Sequence, residues 1–384
     1  MTAAAGRRLR VLLHAPHLSG VGHHVRMREI GRALAPRHGV AFFGGGRAVP
    51  GHWPAGVRDL PLPGLHRSPA GLAPLEPGTT PAATLAARID AIRTAVARMA
   101  PHIIVIEHYP FSKWELAGEF EALIDAARAA SPQGRVVCSV RDIPRQTRHE
   151  ACPAADWAAR VTALLDRHFD ALLVHGDAVL TPLTDALPTA AALRIPVLYT
   201  GMVAEPVPPD QATDARAGGA RYVLASIGGG ADAAGLLPLC RAAWAQLDPA
   251  IRSGRNLVLC QGLGDGTPPV TADGIRTVPF GDAFLRRLAG AELSVSCAGY
   301  NTCTNLLATR TRAVVVPNPR MSDQAVRAAV LARLGVARVL PAEGLTAAAL
   351  ASAMAEALQG PRPDHAISLD GAARTVRLLE ELAA

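Results

Sequence analysis

Ser19-Gly-Val-Gly-His-His24 follows the apolar run at residues 9–13, and Ser226-Ile-Gly-Gly-Gly-Ala-Asp232 follows a second apolar run at residues 222–225. Each segment has the form of a glycine-rich turn between a buried strand and a helix, the connection used by nucleotide-binding α/β folds. The two turns differ, because only the first carries histidines where its helix begins. The pair predicts an α/β protein with two Rossmann-like domains, whose parallel sheets face a cleft between the domains.

The composition fits two globular domains. The chain has 384 residues, of which 49% are hydrophobic and 18% are charged, and this length exceeds that of one ordinary core. Arginine carries nearly all of the positive charge, since Lys113 is the only lysine, and no arginine block with interleaved aromatic residues indicates nucleic-acid binding. The six cysteines form no CxxC pair and no zinc-like spacing. We therefore expect no bound metal. No apolar run approaches the roughly 20 residues that span a bilayer, so we expect a cytoplasmic protein.

Short apolar runs alternate with Ala-rich helical stretches in both halves, which is typical of parallel sheets. Residues 204–220 break this periodicity and predict a linker. They separate an N-terminal Rossmann-like domain (1–203) from a C-terminal one (221–384). The last helix either stays with the C-terminal domain or packs back on the N-terminal domain. Residues 44–78 are rich in Gly and Pro and predict a long loop. In the first half we predict strands at residues 10–13, 40–43, 103–107, 136–140, 171–174 and 196–199.

Two segments of the C-terminal half suit a diphosphate. The backbone N–H groups at residues 228–230 can approach an anion closely, and Gly299-Tyr-Asn-Thr302 opens another helix directly after a predicted strand. A P-loop is excluded because no Gly-Lys-Ser/Thr follows the glycines. Downstream, Asp323 and Gln324 stand at a further predicted helix start, where either they contact a ligand or Ser322 or Asp323 forms the N-cap.

His23 is the leading candidate for a general base. A helix N-terminus disfavours imidazolium and keeps a neutral ring ready to accept a proton, and Arg26, one turn on, is placed to pair with an acidic group. His24 is the competing candidate. Four residues at predicted strand ends are further candidates: Glu107, His108, Arg141 and Asp142. Glu107 and Asp142 are placed to orient the histidine or to contact an acceptor, and a buried salt bridge of Arg141 with the neighbours of Asp142 is the structural alternative.

These motifs together resemble the GT-B nucleotide-sugar enzymes. Gly20-Val-Gly-His-His-Val-Arg26 is similar to the GxGHxxR segment of this group, which includes the MurG-like transferases of glycosyltransferase family 28, the UDP-sugar hydrolase of pseudaminic acid synthesis and a branch of predicted bacterial glycosyltransferases. The resemblance extends over nearly the whole chain. Its further marks are Ser139-Val-Arg-Asp-Ile143, His175-Gly-Asp177, Gly228-Gly-Gly230, Phe280-Gly-Asp282, Gly299-Tyr-Asn-Thr302 and Asp323-Gln324.

The resemblance implies a donor site in the C-terminal domain. It places the nucleobase of the donor near Phe280 and Gly281, and the hydroxyl groups of the donor sugar near Asp323 and Gln324. Asn305 stands where relatives usually carry a glutamate that binds the ribose, which leaves the nucleotide open. The diphosphate is expected on Gly229, Gly230, Gly299, Asn301 and Thr302.

The resemblance also implies an acceptor site in the N-terminal domain. There the catalytic candidates are His23, His24 and Asp142. The acceptor-binding candidates are Gly22, Arg26, Glu107 and Arg141.

The implied activity is that of a metal-independent, inverting glycosyltransferase without a cofactor, using a nucleoside-diphosphate sugar, with UDP favoured, and a small-molecule or lipid-linked acceptor. The alternatives are a nucleotide-sugar hydrolase and a non-catalytic nucleotide-sugar-binding subunit. Residues 44–75, with Trp53, Leu60, Leu62, Leu65, Arg58 and Arg67, are interpreted as either an apolar patch for the inner face of the membrane or a lid over a soluble acceptor.

Overall fold

The computed structural model describes residues 7–18, 20–47, 49, 51, 53–147, 150–207, 221–228, 235–262, 271–272 and 274–384. The chain divides into two compact units. The first unit comprises Met1–Val203 with Asp370–Ala384, and the second unit is Ala204–Leu369.

The first unit is built on a sheet of parallel strands. Among the described residues the strand order is β3-β2-β1-β6-β7-β8-β9, and every neighbouring pair is parallel. The strands are β1 (Arg10–His14), β2 (Gly39–Phe43), β3 (Val57–Leu60), β4 (Leu65–Ser68), β5 (Gly71–Pro74), β6 (Ile103–Glu107), β7 (Arg135–Arg141), β8 (Ala171–His175) and β9 (Val197–Tyr199). The helices are α1 (Gly22–Leu34), α2 (Pro81–Met99), α3 (Ala117–Ala130), α4 (Ala154–His168) and α5 (Leu183–Ala186), with 3-10 turns at Trp114–Leu116 and Pro188–Ala192.

The second unit repeats this architecture. Its described strands lie in the order β12-β13-β11-β10-β14-β15-β16, parallel except for β12. They are β10 (Arg221–Ser226), β11 (Arg255–Gln261), β12 (Thr271–Ala272), β13 (Ile275–Pro279), β14 (Leu293–Ser296), β15 (Ala313–Val315) and β16 (Arg338–Val339). The helices are α6 (Leu236–Gln246), α7 (Pro249–Arg252), α8 (Phe284–Gly290), α9 (Tyr300–Thr309), α10 (Ser322–Arg333) and α11 (Ala347–Gln359). The predicted α/β class with parallel sheets is confirmed.

The central strands are buried on both faces, as parallel sheets covered by helices require. All five residues of β6 and of β8 are buried. Apolar side chains of β1, β6, β7 and β8 supply two separate cores, one on each face of the first sheet. Because these strands are parallel, their carboxyl ends lie along one edge of the sheet. The polar residues that follow the strands are brought together at that edge.

The prediction of a long loop at residues 44–78 is wrong, because this stretch holds β3 and the β4–β5 hairpin. Leu62 and Leu65 are buried in the core, and Arg67 pairs with Glu115. Leu62 and Leu65 therefore do not contribute to an exposed apolar patch. Four-residue strands between Gly and Pro are too short for their alternation to be recognised in the sequence.

A buried ion pair fastens this segment to the helices. Glu119 accepts hydrogen bonds from Arg88 Nε at 2.5 Å and from His14 Nε2 at 2.9 Å, and Arg88 Nη1 also donates to the carbonyl oxygen of Gly45 at 2.9 Å. Gly45 has φ of +72°, and a Cβ there would lie 2.0 Å from Arg88 Nη1. Only glycine satisfies both conditions at this turn.

The last helix, α12 (Gly371–Leu382), belongs to the first unit. Val376 and Leu379 join its core, Arg135 Nε donates to the carbonyl oxygen of Leu382 at 2.9 Å, and Gly371 N donates to the carbonyl oxygen of Met202 at 3.0 Å. The end of the chain thus completes the first unit.

We expect Gly371→Ala to destabilise the protein by about 1–3 kcal/mol, because the added methyl meets backbone that cannot move aside. A Cβ at Gly371 would lie 2.6 Å from the Met202 carbonyl oxygen. Gly118→Ala, in the first turn of α3 with nothing within 4 Å of the added Cβ, is the matched control. Urea unfolding measures both, and equal stability of the two variants would contradict the packing described for α12.

Candidate active site

His23 lies in the first turn of α1 and is held by a buried carboxylate. Its Nδ1 is 2.9 Å from Glu107 Oε1, and its side chain is 19% exposed while that of Glu107 is fully buried. Arg26, one turn further along α1, forms an ion pair with the same oxygen. A carboxylate only accepts hydrogen bonds, so Nδ1 of His23 carries the proton and Nε2 keeps its lone pair. The ring is therefore fixed in the tautomer that a general base needs.

The second oxygen of Glu107 is anchored by a chain of polar side chains across the sheet. Ser139 Oγ lies 2.5 Å from Glu107 Oε2 and 2.9 Å from His175 Nε2, and His175 Nδ1 lies 2.8 Å from Thr200 Oγ1. Because Ser139 donates its proton to the carboxylate, its oxygen accepts the Nε2–H of His175. The Thr200 hydroxyl also donates to the carbonyl oxygen of Gly201 at 2.8 Å. The charge on Glu107 thus sets the direction of the two hydrogen bonds at Ser139.

The surroundings keep His23 neutral and Glu107 ionised. Burial, followed by the charges on Lys113 and Arg26, holds the pKa of His23 well below its ordinary value. Burial acts to raise the pKa of Glu107, but the Arg26 charge and neighbouring groups outweigh it, and the pKa is lowered. Burial is therefore the largest of these causes of the neutrality of His23.

His24 is placed differently. Its ring packs at 5.0 Å from Phe42 and 5.1 Å from Trp53 between ring centroids, and at 5.2 Å from His17. Burial, followed by the nearby His17 and Arg28, lowers its pKa to about 3. No carboxylate among the described residues orients it, so the geometry distinguishes His23 as the oriented base.

Three further candidates from the sequence lie near the same edge. Gly22 is the first residue of α1, and Arg141 is the last residue of β7, where its charge acts on His23. Asp142 is buried, and its Oδ1 accepts the N–H of Ile143 at 2.8 Å. In the part of the chain that the structure describes, Glu107 accepts the hydrogen bond of His23 Nδ1, and Arg26 Nη2 lies 3.3 Å from the same nitrogen. Glu107, not Asp142, therefore orients the ring.

His23, Glu107 and His108 bring three potential metal-ligand atoms within 4.8 Å of one another. Their electrostatic surroundings oppose a divalent cation, because Arg26 already pairs with Glu107 and the charges of Lys113 and Arg141 act on both histidines. The cluster therefore suits a base with its orienting acid better than a metal centre.

We expect the protein to lose stability as pH falls below about 6.5. Burial, followed by the Arg26 charge, lowers the pKa of His175 to about 3, so between about pH 6.5 and pH 3 the unfolded chain binds a proton that the native protein does not. Stability then rises with pH in that window, by about 1.4 kcal/mol per pH unit for one such histidine. Urea unfolding at pH 7 and pH 5 gives the free energy of unfolding at each pH. We expect this free energy to change less with pH in His175→Gln than in the wild-type protein, by about the amount given above. An equal pH dependence in the two proteins would contradict a neutral, buried His175.

Sequence reasoning missed the anchors of Glu107 and the role of Lys113. Ser139 and His175 were noted only within family motifs. The available signal was a polar residue inside an apolar strand, as Ser139 is in β7, or at its carboxyl end, as His175 is in β8.

In the second unit, the turns that follow β10 and β14 meet at Thr302. β10 and β14 are neighbours with Ser226 opposite Ser296, so the residues that follow them emerge side by side. A Cβ at Gly228 or at Gly299 would lie 3.7 Å from Thr302 Oγ1. Gly299 is the N-cap of α9 and offers no side-chain cap, which leaves the first N–H groups of the helix to other partners. Gly229 and Gly230 lie outside the described residues.

Gln324 and Asp323 tie adjoining turns together. Gln324 Oε1 accepts the backbone N–H groups of Ala298 and of Asn318, each at 3.0 Å. Asp323 Oδ2 accepts from Arg327 Nη2 at 3.0 Å, and Arg327 Nη1 donates to the carbonyl oxygen of Ala298 at 2.7 Å. The N-cap of α10 is Met321, without a side-chain cap hydrogen bond, so the structure does not place Ser322 or Asp323 at the N-cap position.

The remaining donor candidates lie along the same edge. Phe280 and Gly281 follow β13, and the Phe280 ring packs 5.1 Å from that of Phe284. Asn301 is in the first turn of α9 and Asn305 in the second, where Asn305 is buried. Because β13, β11, β10, β14 and β15 are consecutive in the sheet, the turns after them line one edge.

Comparisons with known proteins agree with this fold. Residues 258–370 match the glycosyltransferase family 28 C-terminal domain. A transferase of Methylorubrum extorquens that is named for UDP-N-acetylglucosamine and pyrophosphoryl-undecaprenol is 33% identical over 128 residues, which are 33% of this chain and 32% of that protein. The chain thus matches about a third of the length of this curated relative.

Solved structures resemble the whole chain. A UDP-glucosyltransferase from Polygonum tinctorium superposes with a TM-score of 0.62 at 12% identity, covering 99% of this chain and 95% of that one. MurG of Acinetobacter baumannii superposes with a TM-score of 0.54 at 15% identity, covering 97% and 99%. No described helix is long and apolar enough to cross a bilayer. The predicted GT-B fold and the resemblance to MurG-like transferases are confirmed.

Proposed function

We propose that this protein is an inverting, metal-independent glycosyltransferase that moves a sugar from a nucleoside-diphosphate sugar, with UDP favoured, to a small-molecule or lipid-linked acceptor. The observation that carries the proposal is the oriented, neutral His23 on buried Glu107, in a chain whose residues 258–370 match a glycosyltransferase family 28 domain. The preference for UDP rests on the names of the relative and of the structural neighbour.

The second unit supports donor binding. The first N–H groups of α9, the positive end of its dipole and the Thr302 hydroxyl suit the negative charge of a diphosphate. Stabilisation of the departing diphosphate by N–H groups needs no metal ion. Gln324 contributes its amide nitrogen to any ligand hydroxyl, because its oxygen is engaged by two backbone N–H groups.

The first unit supplies the base. Nε2 of His23 takes the proton of an acceptor hydroxyl while that oxygen bonds to the anomeric carbon of the sugar. The bond from this carbon to the diphosphate oxygen breaks, and the nucleoside diphosphate leaves with the bonding electrons. One displacement inverts the anomeric centre, and Glu107 stabilises the imidazolium that forms.

We expect UDP to raise the melting temperature of the protein, because a ligand that binds only the native state stabilises it by about 2.7 kcal/mol at 100 times its Kd. Thr302→Val should weaken UDP binding by about tenfold through loss of one hydrogen bond to a charged group. Thr304→Val is the matched control, since the Thr304 hydroxyl bonds the Asn301 carbonyl oxygen of its own helix.

A thermal-shift series with UDP, dTDP and GDP makes this measurement. Stabilisation by none of the three would overturn the donor assignment. Equal UDP affinity in Thr302→Val and the wild-type protein would overturn the role of Thr302.

A further inference from the structure

Lys113 is the only lysine in 384 residues, and it is buried near His23. Its residue is 7% exposed, and its Nζ has no hydrogen-bond partner among the described residues. A buried ammonium without a partner is costly, so such a group in a folded protein calls for an explanation through a ligand or a catalytic role.

A second unpartnered group belongs to the same segment. His108 is 2% exposed, and its Nδ1 also lacks a hydrogen-bond partner within the described part of the chain. The His108 ring lies 4.7 Å from that of His23 between centroids. The charge of Lys113 acts on His23 and on His108, and the charge of Glu107 acts on Lys113. Both unpartnered groups, Lys113 Nζ and His108 Nδ1, therefore lie close to His23.

The loop that carries these two side chains is fixed at successive backbone positions. Trp114 Nε1 donates to the carbonyl oxygen of Pro110 at 2.7 Å, and Trp157 Nε1 donates to that of Phe111 at 3.1 Å. The N–H of Lys113 donates to Glu150 Oε1 at 3.2 Å. His108 and Lys113 both have left-handed backbone, with φ of +68° and +66°. The surrounding contacts therefore impose an uncommon conformation that holds both side chains in place.

Several positive charges act on His23. They belong to Lys113, Arg26 and Arg141, and Glu107 pairs with Arg26. Burial outweighs the attraction of Glu107 and Glu115 and lowers the pKa of Lys113 to about 8, so the amine is still mainly protonated at neutral pH. A ligand with its own negative charge would stabilise this buried ammonium.

We propose that the Lys113 ammonium and the His108 ring bind an anionic group, a carboxylate or a phosphate, that the acceptor carries. This inference rests on the proposed transferase function and narrows the acceptor to an acidic molecule. Both groups belong to the first unit, whereas the diphosphate-binding turns belong to the second. Neutralising Lys113 also removes a charge that opposes protonation of His23, so an acidic acceptor would make its own base stronger.

The single lysine makes the test direct. Protein labelled with [ε-13C]lysine, and expressed without added lysines, gives one methylene signal that reports the ionisation of Lys113. We expect inorganic phosphate or acetate to shift this signal saturably and to raise its apparent pKa by about 1–3 units, the effect of an opposite charge within about 4–6 Å. Potassium chloride at matched ionic strength is the control for screening.

Two variants test the partner group. His108→Gly removes the ring while glycine accepts the left-handed backbone, and it should weaken anion binding by about tenfold. His102→Ala is the control, because His102 precedes the first residue of β6 whereas His108 follows its last. This variant should leave anion binding unchanged. Equal anion affinity in His108→Gly and the wild-type protein would remove His108 from the site.

The anion proposal is overturned if neither phosphate nor acetate shifts the lysine signal beyond the chloride control, or if only UDP shifts it, since the anion would then come from the donor. UDP stabilisation of the same preparation is measured in parallel. UDP binding with an unresponsive lysine would end this inference and leave the proposed function standing. A responsive lysine without stabilisation by any nucleoside diphosphate would support an anion site at Lys113 but overturn the donor assignment, and with it the interpretation of the anion as part of an acceptor.

Discussion

His23→Ala is expected to lower kcat for sugar transfer by about 10²- to 10⁴-fold, the usual contribution of a general base. The substitution removes the one imidazole that Glu107 orients among the described residues, and its 19% exposure shows that the ring is reached from solvent. Donor affinity should be unchanged, because the turns that we propose to bind the diphosphate lie in the second unit. The measurement is nucleotide release under saturating donor, together with UDP binding by thermal shift.

His24→Ala is the neighbouring control. His24 packs against Trp53 and Phe42 and has no orienting carboxylate among the residues that the structure describes, so its replacement should affect stability more than kcat. If His24→Ala lost activity by the larger factor, the assignment of the base would be reversed. Unchanged turnover in His23→Ala would favour a role for this chain as a binding subunit.

Glu107→Ala is expected to cost about 3–5 kcal/mol of stability in addition to its loss of activity. The substitution leaves the Arg26 guanidinium, 1% exposed, without its buried counter-charge, and removing one partner of a buried pair is strongly destabilising. It also removes the carboxylate that keeps the proton on Nδ1 of His23. Urea unfolding and transfer kinetics measure the two effects separately.

Two comparisons isolate the causes. Glu107→Gln keeps the shape and a hydrogen-bonding oxygen, so it should fold better than Glu107→Ala yet still lose transferase activity. Glu115→Gln breaks the partly exposed pair with Arg67 and should cost no more than about 1 kcal/mol. A stability loss in Glu107→Ala as small as that in Glu115→Gln would contradict the buried-pair account.

Much of the fold follows from the sequence, because buried parallel strands are continuous apolar runs. The predicted strand at residues 103–107 coincides with β6, and the predicted strand at residues 171–174 lies within β8. The predictions failed at residues 44–78, where short strands are recognisable only through their partners. There the register is set by pairing with β2 and by the hydrogen bond from Arg88 to Gly45, neither of which is local in sequence.

The site was partly accessible. His23 could be selected because a histidine directly after a glycine turn is unusual, and Glu107 because it ends an apolar strand. The pairing between them joins residues 84 positions apart, and it decides between Glu107 and Asp142 as the orienting acid. The sequence could not show this, since both acids stand at strand ends of the same sheet. Lys113 was visible only as a lone lysine; its burial depends on how the loop after β6 is held.

The measurement that tests the central claim most directly is nucleotide release from UDP-sugars by the wild-type protein, with and without a pooled extract of acidic and lipid-linked small molecules as acceptors. The account predicts release that depends on the extract, with a new glycoside found by mass spectrometry. Release at the full rate without extract, accompanied by free sugar, would indicate a hydrolase instead. No release from any donor under either condition would contradict the assignment of a transferase.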